Sequence, residues 1–160
     1  MTLKIWMTLI VTGLMAGCTP EEPAKVAPPA HVSASAVSQD EVGSLLNTER
    51  AKQGLHALTM NPKLAAAARV HAQDMARAGF FSHTGSDGSM PADRVRAQGY
   101  GFCFVAENIA QGQPTAGQVM QAWMDSQGHR RNNLSSAARD YGAANAQGDY
   151  WVLVFGASGC

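Results

Sequence analysis

The chain has 160 residues, 46% of them hydrophobic, with 12 basic residues against 12 acidic ones. That length and apolar content suit one globular domain and exclude a disordered chain. No basic block or stripe is present, which argues against nucleic acid as a partner, since phosphate neutralisation needs clustered Lys and Arg.

The first eighteen residues, MTLKIWMTLIVTGLMAGC, set one Lys before an apolar run from Ile5 to Met15, then small residues and a cysteine. The pattern is similar to a secretory signal ending in a bacterial lipobox, Met15-Ala16-Gly17 before Cys18. In such a signal the chain is cut before the cysteine, so Cys18 is the expected lipidation site and membrane anchor. An ordinary signal cleaved nearby and an uncleaved anchor are the alternatives; the run is short for a span of roughly 20 residues. Loss of Lys4 with the signal leaves 11 basic and 12 acidic residues. Thr19 is not the Asp that holds many lipoproteins at an inner membrane, which points to the outer membrane of a two-membrane cell, facing periplasm or exterior.

Residues 19–37 hold four of the seven prolines, with Ala and Ser and no sustained apolar period. They read as a flexible tether carrying an incidental His31. The domain is then expected over 38–160. Ser38 with Glu41 has the spacing of a capping box, and Val42, Leu45 and Leu46 continue a helix to about Gln53, ended by Gly54. Asn61-Pro62 supplies an N-cap and a first-turn proline for a second helix reaching Gly79. Its alanines suit close packing against a neighbouring layer, and His71 and Met75, four apart, read as core or core-edge residues.

FFSHTGSDGSM is a loop by composition, Pro91 to Gln98 a short helix, and residues 102–106 a strand. Thr115 with Gln118 repeats the capping pattern, ahead of an apolar face formed by Val119, Ala122 and Trp123. Tyr141–Ala146 and Tyr150–Phe155 read as strands joined by Gln-Gly-Asp. Helices early and strands late give an α+β layered domain. With Cys18 assigned to lipid, Cys103 and Cys160 remain for a disulfide in an oxidising compartment; two free thiols are the alternative.

Three segments put proton-transferring or metal-capable side chains in polar, turn-like settings: Phe81-Ser82-His83-Thr84, Ala106-Glu107-Asn108-Ile109-Ala110 and Gly128-His129-Arg130. Two imidazoles and a carboxylate suit Zn2+ or another divalent ion with a position left for water. Spacing alone does not show that they converge. Asn108 and Asn132 read as backbone-bonding residues that fix loops, Arg130 and Arg131 as bonding partners for carbonyls at a helix end, and Trp123 as a core anchor.

The runs LNTERAKQGLHALTMNPKLAAAARVHAQDMA, FSHTGSDGS, AENIAQG, AWMDSQGHRRNNL and YWVLVFG, in this order over about residues 39–156, resemble the bacterial branch of the CAP superfamily, the SCP or PR1-like domains. The resemblance implies a three-layer α-β-α sandwich with a central, mainly antiparallel sheet, and a groove lined by two His and up to two Glu. Residue by residue it places His83, Glu107 and His129 in that cavity, with Ser126 where relatives carry the second Glu. The expected function is an extracytoplasmic binding module taking a divalent metal or an envelope ligand through His83, Glu107 and His129. A metal-assisted hydrolase of peptide or cell-wall material, with Glu107 as candidate base or with Ser82 or Ser126 activated by a His, is the alternative. Lipid or sterol binding, which the resemblance suggests for some members, is a second alternative.

Overall fold

The computed structural model describes the backbone of residues 34–159 and the side chains of residues 41–159. The signal, Cys18, most of the tether and Cys160 lie outside the described residues, so the lipid anchor and the Cys103–Cys160 pairing do too.

In chain order the elements are α1 (Ala34–Lys52), β1 (Thr59–Met60), α2 (Pro62–Ala78), α3 (Pro91–Ala97), β2 (Phe104–Gln111), α4 (Ala116–Asp125), α5 (Gln127–Asn133), β3 (Asp140–Ala146) and β4 (Tyr150–Ala157). The four strands form one sheet in the order β1-β3-β4-β2. β1 runs parallel to β3, while β3 and β2 flank β4 antiparallel. β2 is therefore an edge strand.

Alternation along the strands sends successive side chains to opposite faces. Trp151, Leu153 and Phe155 of β4 join Val42 and Leu46 of α1 and Val119, Met120 and Trp123 of α4 in one core. Val152 and Val154 join Leu64, Ala68, Ala72 and Met75 of α2 and Val95 of α3 in the other. Two cores, one on each face of the sheet, make the three-layer α-β-α sandwich. Fully burying a side chain such as Phe155 or Leu64 contributes about 1.5–3 kcal/mol.

The alanine face of α2 does lie close to the sheet. A Cβ on Gly142 of β3 would collide with the backbone of Leu64 and Ala65, so only glycine fits the approach. Asn61 caps α2 through its Oδ1, which accepts from Lys63 N at 3.0 Å, and Gly79 closes the helix at φ 67°. Thr115 Oγ1 accepts from Gln118 N at 3.2 Å at the start of α4.

Three expectations need correction, and one short strand was not expected. The first helix starts at Ala34, inside the expected tether, so Ser38 is an interior residue and not an N-cap; Ala-rich sequence ahead of it simply extends the helix. β1 was invisible because two residues carry no period. β2 runs to Gln111 rather than ending at 106, so Glu107 and Asn108 belong to a strand and not to a turn. His129 does not lie in a turn: α4 stops at Asp125, Ser126 adopts an extended conformation, and a new helix containing His129 begins at Gln127.

Candidate functional site

Neighbouring residues Glu107 and Asn108 of β2 face opposite layers, and each organises one side of the candidate site. Glu107 points toward α2 and α3. Its Oε1 accepts from His83 Nδ1 at 2.8 Å and its Oε2 from Arg94 Nη2 at 2.8 Å. The carboxylate is almost wholly enclosed, with 2% of its side chain exposed, and Arg94 is 5% exposed. A buried charge of this kind persists only when paired and hydrogen-bonded.

Arg94 also fastens the loop that carries His83. Its Nη2 donates to His83 O at 3.0 Å and its Nη1 to Ser89 O at 2.7 Å. From the α2 side, His71 Nε2 donates to Ser82 O at 2.8 Å. Asp74 accepts from Ser86 N and Oγ at 2.8 and 2.7 Å, and the Ser86 hydroxyl holds its carboxyl below the usual range. A Gly- and Ser-rich loop is thus clamped at four points, and His83 is presented with 47% of its side chain exposed. With Nδ1–H donated to Glu107, Nε2 is the nitrogen turned to the opening, an orientation set by the carboxylate behind the ring.

Asn108 points the other way. Its Nδ2 donates to His129 O at 3.1 Å and to Asn133 Oδ1 at 2.9 Å, while its Oδ1 accepts from Asn132 Nδ2 at 2.8 Å. Asn132 Nδ2 also reaches Glu107 O at 3.3 Å, and Trp123 Nε1 donates to Ile109 O at 3.1 Å. These bonds seat α5 on β2 and carry His129 toward His83. The two rings are near enough for the His83 charge to depress the His129 pKa, although burial is the larger cause. Arg130 Nε donates to Met124 O, closing the α4–α5 junction.

Beside His83 and Glu107 a cavity of about 400 Å³ is walled by Met90, Pro91 and Ala92 at the start of α3 and by Val105 and Ala106 of β2. The lining is mainly apolar with His83 and Glu107 as its ionisable members, a usual make-up for a ligand cleft.

His83 bonds Glu107 directly, and the His129 ring lies within electrostatic reach of His83, but the three are not equivalent ligands. Both Glu107 oxygens are engaged, by an imidazole and a guanidinium, and among the described residues no three His, Cys, Asp or Glu side chains group as a metal set. A His83/Glu107/His129 metal centre does not fit this arrangement; Glu107 is a support for His83. Ser126 sits at the helix junction without a side-chain cap bond. Ser82 Oγ accepts from Thr84 N at 3.1 Å, and among the described residues no serine hydroxyl bonds an imidazole.

Sequence reasoning missed Arg94; it placed His71 in the core, where it lies, but did not find its bond to the His83 loop. Arg94 and Arg96 look alike in PADRVRA, yet Arg96 stacks on Phe102 at 4.8 Å with its guanidinium outside. Only the neighbouring Val95, buried with Arg94, hinted that one arginine turns inward. His71 is fully buried, its Nε2 3.9 Å from Glu107 Oε1 and its ring edge-on to Phe80. Burial pushes its pKa down, against the attraction of Glu107.

The sequence profile of the cysteine-rich secretory protein family, CAP, matches residues 44–155. The chain belongs to the CAP family. The uncharacterized protein YkwD of Bacillus subtilis (strain 168) is 36% identical to this CAP chain over 118 residues, covering 73% of it and 46% of YkwD. An extracellular protein containing an SCP domain from Bacillus anthracis str. Ames superposes with a TM-score of 0.74 at 25% identity, over 76% of this chain and 41% of that one. An outer surface protein from Borrelia burgdorferi shares the fold at a TM-score of 0.69 and 22% identity, over 73% and 90% of the two chains. This CAP chain spans less than half the length of YkwD and of the Bacillus anthracis protein.

Proposed function

We propose that this CAP protein is an envelope-anchored binding module whose cleft, between the His83 loop and α5, takes an extracytoplasmic ligand. The observation that carries the reading is the locked pair of His83 and Glu107. A buried carboxylate fixed by Arg94 holds an exposed imidazole in one orientation, beside a second imidazole and an apolar cavity. A group held ready in this way gains affinity because little ordering remains to be done on binding. The test is calorimetric titration of the full chain with solubilised peptidoglycan fragments, alongside a His83→Ala/His129→Ala variant. Binding by the wild type and its loss in the variant support the reading; equal binding by both sinks it.

Zinc binding on this reading rests on His83 and His129 alone, and a Zn2+ titration of the same two proteins measures it. The envelope location is supported by the lipobox-like start and by similarity to proteins described as extracellular or outer-surface. Transfer of the full-length Cys18→Ala protein from the membrane to the soluble fraction is the expected check. A Cys103–Cys160 disulfide is supported by Cys103, whose N donates to Ala157 O at 2.9 Å and whose Sγ lies 3.4 Å from the same oxygen, three residues before Cys160.

One observation favours a hydrolase as the second reading. A carboxylate bonded to imidazole Nδ1 is the arrangement that orients a general base. The base would then be His83 Nε2, taking a proton from water, and not Glu107, whose oxygens are occupied. Peptidoglycan hydrolysis that disappears in folded His83→Ala would support it; no turnover by the wild type removes it.

A further inference from the structure

β2 is an edge strand, and only half of that edge is closed. Gly112 N donates to Asp149 O where β2 leaves β4, which fixes the even-numbered residues of β2 as those bonded to β4. The odd-numbered residues turn their N–H and C=O groups away from the sheet. Two of these outward carbonyls are covered, Glu107 O by Asn132 and Ile109 O by Trp123. By the same alternation the N–H and C=O of Val105 and the N–H of Glu107 also face outward, and none of them has a partner among the described residues. Burial divides at the same place: Phe104, Val105 and Ala106 are half-buried, Glu107 to Ala110 buried.

An exposed strand edge with unpaired donors and acceptors is a template for another extended chain. Here it lies against the 400 Å³ apolar cavity, which His83 also lines, with His129 within electrostatic reach of that imidazole. We propose that the ligand of the cleft is an extended peptide that adds as a strand to β2 over Val105–Glu107. One apolar side chain enters the cavity between Met90, Pro91 and Val105, and the next residues reach the two histidines. A free peptide is the occupant favoured over a second copy of this chain. α5 and α4 already cover the rest of the edge, leaving about three residues for pairing, enough for a single strand and too short a seam for two folded edges. The proposal rests on the binding-cleft reading and names its ligand class.

Val105→Pro is the sharp variant. Proline removes the outward N–H without touching the ladder to β4, and an edge position tolerates it. The full chain is screened against a positional library of acetylated, amidated hexapeptides, and the best member is remade with single backbone N-methyl groups. Expected are selection of an apolar residue at one position and a loss of about tenfold in affinity for Val105→Pro. N-methylation should be harmful and harmless at alternate residues, the period of a paired strand. The methyl scan needs no variant, so it decides the matter even where Val105→Pro fails to fold. Unchanged affinity in folded Val105→Pro, or a methyl scan without the period of two, overturns strand addition and leaves the cleft standing. Binding of peptidoglycan fragments with no hexapeptide bound overturns the peptide class alone; failure of both titrations sinks the cleft as well.

Discussion

On the α2/α3 side of β2, His83 is held by ions: a buried Glu107 carboxylate between its imidazole and the Arg94 guanidinium. On the α4/α5 side, His129 is held by neutral amides, those of Asn108, Asn132 and Asn133, bonded to one another and to main-chain carbonyls. Two adjacent residues of one strand anchor both arrangements because alternate side chains reach opposite layers. The charged side is costly to break. The amide side loses less on burial and carries no titrating bond.

That contrast predicts a graded set of variants. Arg94→Met leaves the enclosed Glu107 carboxylate without its cation, and removing one partner of a buried pair typically costs about 3–5 kcal/mol. Urea unfolding measures it, and the Arg94→Met/Glu107→Met double variant should recover much of the loss. A loss no larger in the single variant than in the double one would show that the pair is not coupled.

Asn108→Ala strips bonding partners from Asn132, Asn133 and His129 O, an expected cost of about 1–3 kcal/mol. The amides themselves do not titrate between about pH 7.5 and about pH 5.5, so a change of the penalty across that range would report on His129, which they seat. A loss well below the expected cost would show that the amide set does little to seat α5.

The smallest effect is on the pH dependence of the parent protein. His71 and His129 both have pKa values lowered from 6.5, chiefly by burial. In the unfolded chain they take up protons as pH falls through 6.5 while the folded protein resists, so the unfolded state binds more protons. Stability therefore rises with pH between the lowered folded pKa values and 6.5, and is lost as pH falls through that window. The unfolding midpoint should drop between about pH 7 and about pH 5.5, and His71→Gln should shallow that slope; an unaltered slope would acquit His71.

Much of the frame was legible in the chain. Asn61-Pro62 and Gly79 bounded α2 as their side-chain and backbone chemistry require, Thr115 capped α4, and the last strand stands where its aromatic and β-branched run puts it. The capping box at Ser38 misled because a good local signal does not stop a helix from extending through Ala-rich sequence. AENIA read as a turn because its polar pair interrupts the apolar run expected of a strand. In the fold both polar residues are buried and each is satisfied by a different layer.

The sequence alone determined the two-sided layered pattern, the glycines and caps that bound its helices, and a family motif order pointing to His83, Glu107 and His129. Tertiary structure decided what those residues do. Glu107 became a support and not an open ligand because Arg94, thirteen residues earlier in an ordinary-looking helix, takes its second oxygen. Half of β2 stayed open because α5 and Trp123 cover only the other half. Both outcomes depend on which groups meet across layers, and local propensity and period carry no information about that.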